Sequence, residues 1–140
     1  MWGAAKYAMD VRTQKRLDEI GTRFIRGTVD QLAELQPLAG RIHEGDAAGL
    51  AELEHLTHQL HGSAAMFRFD AVSAAAGRIN KLLKSFEVNP DTWDVALLDS
   101  LLIDFTDAVH DAAASRRRRS ADHLPEWPDR SRDATRPSLD

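Results

Sequence analysis

Apolar residues recur along most of this 140-residue chain at intervals of three and four, with no sustained alternation of apolar and polar positions. A helix turns about 100° per residue and gathers such positions on one face, whereas a half-buried strand needs a period of two. From about Thr13 to Ile42 the stripe of Leu17, Ile20, Phe24, Val29, Leu32, Leu35 and Leu38 predicts one long helix. Pro37 should bend it or end a first piece, because proline lacks the amide donor and clashes with the preceding turn. After the break at Gly45-Asp46, a second helix is expected from about Asp46 to Phe67, capped by Asp46 and carrying Leu53, Leu56, Leu60, Ala64 and Phe67. A third, capped by Asp70, carries Val72, Ala75, Ile79, Leu82, Leu83 and Phe86 as far as Val88-Asn89-Pro90. A fourth begins near Asp91 or Thr92 and carries Trp93, Leu97, Leu98, Leu101, Phe105, Ala108 and Ala112. Short connections between long amphipathic helices make neighbours antiparallel, so the expected fold is all-α, an antiparallel four-helix bundle.

One core is what a chain of this length builds, so residues 1–115 are expected to form a single domain with a short leader. Residues 116–140 open with Arg116-Arg117-Arg118-Arg119, continue through Pro125, Pro128 and Pro137, and lack apolar periodicity. They are expected to be a largely unstructured tail. The arginines read first as favourable partners of a helix C-terminal dipole.

The chain has no cysteine, which removes disulfides, thiolate metal sites and a cysteine nucleophile. The net charge of -4 divides unevenly, residues 1–114 being acidic and the remainder basic. An acidic body lacks the clustered cations through which proteins neutralise nucleic-acid phosphates. No apolar run approaches a membrane span and the first residues lack a signal-peptide core, so a cytoplasmic protein without membrane contact is expected.

The chemistry concentrates in His55-Leu56-Thr57-His58-Gln59-Leu60-His61-Gly62-Ser63-Ala64-Ala65-Met66-Phe67. Helical phase sets the stripe of Leu53, Leu56, Leu60 and Phe67 on one side and His58 nearly opposite. His58 should therefore face water rather than the core. Glu54, His61, Gly62 and Ala65 share its face, so the next turn adds little bulk around the imidazole. Glycine costs up to about 1 kcal/mol relative to alanine inside a helix, and on an exposed face close approach by a partner explains it better than packing does.

The run His58-Gln59-Leu60-His61-Gly62-Ser63-Ala64-Ala65-Met66-Phe67-Arg68-Phe69, followed by Ala74-Ala75-Ala76-Gly77-Arg78-Ile79, resembles the histidine-containing phosphotransfer domains. Their signature is a helical His-x-x-Lys-Gly-Ser-Ala followed by an aromatic segment, and the helical plan of residues 13–114 is similar to theirs. The resemblance implies that His58 accepts a phosphoryl group from a receiver-domain aspartate and passes it to a response regulator. It implies supporting roles for Gln59, His61, Gly62 and Asn80, with Glu54, Ala65, Arg68 and Arg78 in partner docking. His61 stands where relatives carry lysine, and a histidine bears charge only part of the time near neutral pH. Arg68 replaces a common glycine. Kinase-linked relatives have Glu where this chain has Asn80, which points to a relay module. No nucleotide-binding signature is present, so the expected protein is a phosphocarrier without kinase activity or a cofactor of its own. The partner receiver would bring the Mg²⁺.

Two other readings compete. A receiver- or kinase-binding module that never turns over phosphate fits the lost lysine and glycine. A metal-binding bundle is raised by His55, His58 and His61 with Glu54 beside them, yet metal sites in bundles point inward and draw on facing helices.

Overall fold

The computed structural model describes residues 10–89, 91 and 93–122. Four helices make up the fold: α1 (Val11–His43), α2 (Ala47–Met66), α3 (Asp70–Val88) and α4 (Val95–Asp122). Among the described residues there is no strand, and no helix is long and apolar enough to cross a membrane. Each helix packs against its sequence neighbour and α4 closes the ring against α1, the order of an antiparallel up-and-down bundle. The core is drawn from all four: Ile25 and Ile42 of α1, Leu53 and Leu60 of α2, Ile79, Leu83 and Phe86 of α3, and Leu98, Phe105 and Val109 of α4.

Pro37 neither ends α1 nor divides it, and the helix runs through it for 33 residues. The flanking Leu35 and Leu38 are buried, so core packing on both sides of the proline holds the helix together where one backbone bond is lost. Asp46 caps α2 as expected, its carboxylate accepting the Ala48 N–H at 2.9 Å. Asp70 is not a cap. It lies in the first turn of α3, where its charge still suits the helix dipole, and Phe69 precedes it with no side-chain cap bond. The fourth helix starts later than the sequence predicts. Trp93 stacks on Phe86 with ring centroids 5.5 Å apart and donates its indole N–H to the Phe86 carbonyl at 3.0 Å, which ties the connection to the end of α3. Helix can begin only beyond that anchor, and Asp94 caps it by accepting the Leu97 N–H at 2.9 Å. Of the expected boundary residues, Pro90 and Thr92 lie outside the described residues, as do the leader through residue 9 and the tail beyond residue 122.

Residues 116–122 continue α4 instead of opening a tail. Arg116 supplies the reason. Its Nη1 donates to the Asp18 carbonyl at 2.9 Å and to Thr22 Oγ1 at 3.1 Å, and its guanidinium carbon lies 4.8 Å from the centre of the Phe69 ring. Gly21 leaves the space, since a Cβ there would meet Nη2 at 3.3 Å.

The ends of α1 and α2 are built alike. After α1, the Gly45 N–H donates to the Ile42 carbonyl and the Asp46 N–H to the Arg41 carbonyl, both at 2.9 Å. After α2, the Arg68 N–H donates to Ala65 at 3.1 Å and the Phe69 N–H to Ala64 at 2.8 Å. Both turns need a left-handed residue, at φ 82° for Gly45 and 65° for Arg68. Glycine adopts it freely, whereas an L side chain there costs about 1–2 kcal/mol. Arg68→Gly is therefore expected to stabilise the bundle by about 0.5–1 kcal/mol, the glycine's extra freedom in the unfolded chain offsetting part of the gain. A urea midpoint at or below that of the parent chain would count against strain at Arg68.

Candidate functional site

The outer face of α2 carries His55, His58, Gly62, Ala65 and Met66, all exposed, Met66 by 70%. Behind them Leu53, Thr57, Leu60 and Ala64 are buried, so helical phase alone turns the imidazole of His58 outward. Among the described residues nothing hydrogen-bonds that ring. A Cβ built on Gly62 would meet nothing within 4 Å, so among the described residues no contact requires glycine there. Gln59, Ala65, Arg68 and Arg78 are exposed as well.

Asn80 comes from α3 to the helix that carries His58 without bonding its ring. It is buried on the inner side of α2, where its Nδ2 donates to the Glu54 carbonyl at 2.8 Å and to Thr57 Oγ1 at 3.2 Å. Thr57 in turn donates to the carbonyls of Leu53 at 2.9 Å and Glu54 at 3.1 Å. The amide is thus spent on the backbone one turn before His58. It holds the helix that carries the imidazole and leaves the tautomer of the ring unset.

His61 shares the outer half of α2 but leans across to α3. Its Nδ1 lies 2.8 Å from the Ser73 carbonyl, which only accepts, so Nδ1 carries the hydrogen and Nε2 is the free nitrogen. Ser73 Oγ lies 3.1 Å from the same nitrogen and donates to the His61 carbonyl at 2.9 Å, closing a side-chain and backbone clasp between the helices. Gly77 makes room, because a Cβ there would stand 3.1 Å from ring atoms Cε1 and Nδ1. Ser73 is absent from the sequence reading and Gly77 enters it only within the family-like run, with no role of its own, although their spacing of four on the small-residue face of α3 marks a place where another side chain can lie down.

Glu54 is half-buried and engaged with α3 rather than standing clear of it. A hydrogen bond with the Glu87 carboxyl, then burial and the Glu87 charge, hold its carboxyl above the usual range, while Lys84 opposes them. As for the three histidines, His61 is committed to Ser73, and among the described residues no group of three or more His, Asp or Glu converges to hold a metal ion.

Comparison with curated proteins and with solved structures gives no match. Residues 19–115, more than half the chain, match the model of the Hpt domain. That span takes in α2 and α3 whole, with the exposed His58 and open Gly62 between its limits, and the chain belongs to the Hpt domain family.

Proposed function

We propose that this chain is a relay phosphocarrier: His58 accepts a phosphoryl group from the aspartyl phosphate of one receiver domain and delivers it to the aspartate of another. Hpt domains carry out histidine phosphotransfer in phosphorelay signalling and interact with receiver domains. The observation that carries the assignment to this residue is the combination of an outward, unbonded imidazole at His58 with open space at Gly62 one turn later. A neutral ring nitrogen attacks phosphorus as the bond to the receiver's carboxylate oxygen breaks. That carboxylate leaves as the anion, and the ring proton passes to solvent or stays on the imidazolium. The loose transition state asks for in-line approach and charge neutralisation. Mg²⁺ held by the receiver would supply much of the latter, and this chain contributes access. Met66 and Ala65 extend the same face with apolar surface against which a partner can pack.

His61 supports the reading by what it leaves free. With Nδ1 fixed on Ser73, only Nε2 remains to meet a phosphate oxygen, and as a donor only when protonated. Arg68 and Arg78 stand exposed as candidates for the rim of the docked complex.

Incubation with a phosphorylated receiver domain should move label onto this chain in an acid-labile, base-stable form. Gly62 tests the docking half separately. Gly62→Ala should stabilise the helix by up to about 1 kcal/mol, since the added methyl touches nothing among the described residues. Gly62→Gln should keep the fold and slow transfer by about tenfold or more, equivalent to about 1.4 kcal/mol of lost docking. Undiminished transfer by Gly62→Gln would mean that no partner approaches this turn closely. A receiver that binds the wild type tightly yet never labels it would favour the non-transferring module.

A further inference from the structure

Away from His58, the first half of α1 and the last turns of α4 enclose a groove of about 430 Å³. Five cations line it: Lys15, Arg23, Arg26, Arg116 and Arg119, with Asp18 and Glu19 as the acidic residues. Among the described residues none of the five makes an ion pair; the pairs there join Arg41 to Asp46 and Glu52, and His43 to Asp99. Asp18 accepts the Gln14 side-chain amide at 3.2 Å, a neutral partner. Arg116 is held in the wall by backbone, hydroxyl and aromatic contacts, none of which cancels charge, and its Nε is buried with no hydrogen-bond partner among the described residues. Burial and the charge of Arg119 both push the Arg116 pKa down, more than Asp18 restores it.

Surface arginines usually face water and do nothing further. Here five cations against two carboxylates line one concavity, Arg116 partly desolvated among them and none ion-paired among the described residues, in a chain whose net charge is -4. We propose that this groove binds a compact polyanion of the polyphosphate class. Its volume falls within the range of small-molecule sites. Guanidinium groups from two helices can hold phosphate oxygens in paired, charge-assisted hydrogen bonds that an isolated carboxylate would use less fully. The groove is distinct from the transfer face. Arg116 stacks on Phe69, which lies in the turn beyond the end of α2, and α2 itself runs on for eight residues past His58, about 12 Å. The proposal therefore stands or falls without reference to phosphotransfer.

Calorimetric titration of the full chain with sodium tripolyphosphate at low ionic strength tests it. Saturable binding in the micromolar range is expected, weakened about tenfold or more in the double variant Arg23→Ala, Arg119→Ala. Both side chains are exposed and outside the Arg116 contacts, so the variant should fold, and circular dichroism checks that it has. The charge-matched control Lys81→Ala, Lys84→Ala, on exposed positions of α3, should retain the affinity. A second pair, Lys15→Ala with Arg26→Ala, should weaken binding as the first does. No heat at millimolar tripolyphosphate, or equal weakening by the α3 control, overturns the proposal.

Discussion

His58→Gln is expected to leave the bundle folded and to abolish labelling by a phosphorylated receiver. The ring is exposed and no side chain or backbone group hydrogen-bonds it among the described residues, so stability should stay within about 0.5 kcal/mol of the parent. The function should vanish because glutamine offers an amide with no nucleophilic nitrogen, and no neighbouring histidine is placed to take over. His61 is clasped to Ser73, and His55 lies nearly a full turn before His58, two turns away from the open space at Gly62. His55→Gln should accordingly retain most of the transfer. Label that survives in His58→Gln and disappears in His55→Gln would move the acceptor. Label that survives in both would point to His61 despite its clasp.

Ending the chain after Ser115 should lower stability by about 2 kcal/mol, and the melting temperature by several degrees, whereas ending it after Asp122 should change neither. The difference is Arg116. Hydrogen bonds from a charged donor contribute about 1.5–3 kcal/mol and a cation over an aromatic ring about 0.5–1 kcal/mol. Half-exposure of the guanidinium, and the burial and like charge that depress its pKa, offset part of that sum, which places the expectation at the lower end. Arg116→Ala in the full chain should reproduce most of the loss. Identical melting of the chains ending at Ser115 and Asp122 would show that the contacts with Asp18, Thr22 and Phe69 add nothing net.

These cases show what the sequence carried and what it did not. The outward setting of His58 depends only on its phase relative to Leu53, Leu56 and Leu60 in one helix, and that phase is written in the local sequence. The cap at Asp46 and the break at Gly45 are equally local. The start of α4 is not local, because Trp93 is held by Phe86 in an aromatic stack between two elements that no helical wheel contains. Arg116 read as tail for the same reason: its partner Asp18 lies 98 residues away. Asn80 and His61 had the right neighbourhood but their bonds did not follow from it. Whether a side chain on one helix reaches an imidazole, a carbonyl or a hydroxyl on the next is decided by the register of α2 against α3. That register is set by the whole interface.

The clasp at His61 makes two positions of the chain conditional on each other. A methyl on residue 77 would arrive 3.1 Å from the imidazole at 61, so the ring would have to give by a few tenths of an ångström or turn away from Ser73. A flexible side chain at 61 would swing clear of that contact. Substitutions at 61 and 77 should therefore not be additive: replacing Gly77 disturbs the clasp while the ring is in place and leaves the fold undisturbed once the ring has gone. The helix that presents the phosphoacceptor candidate is in this way coupled to the helix behind it.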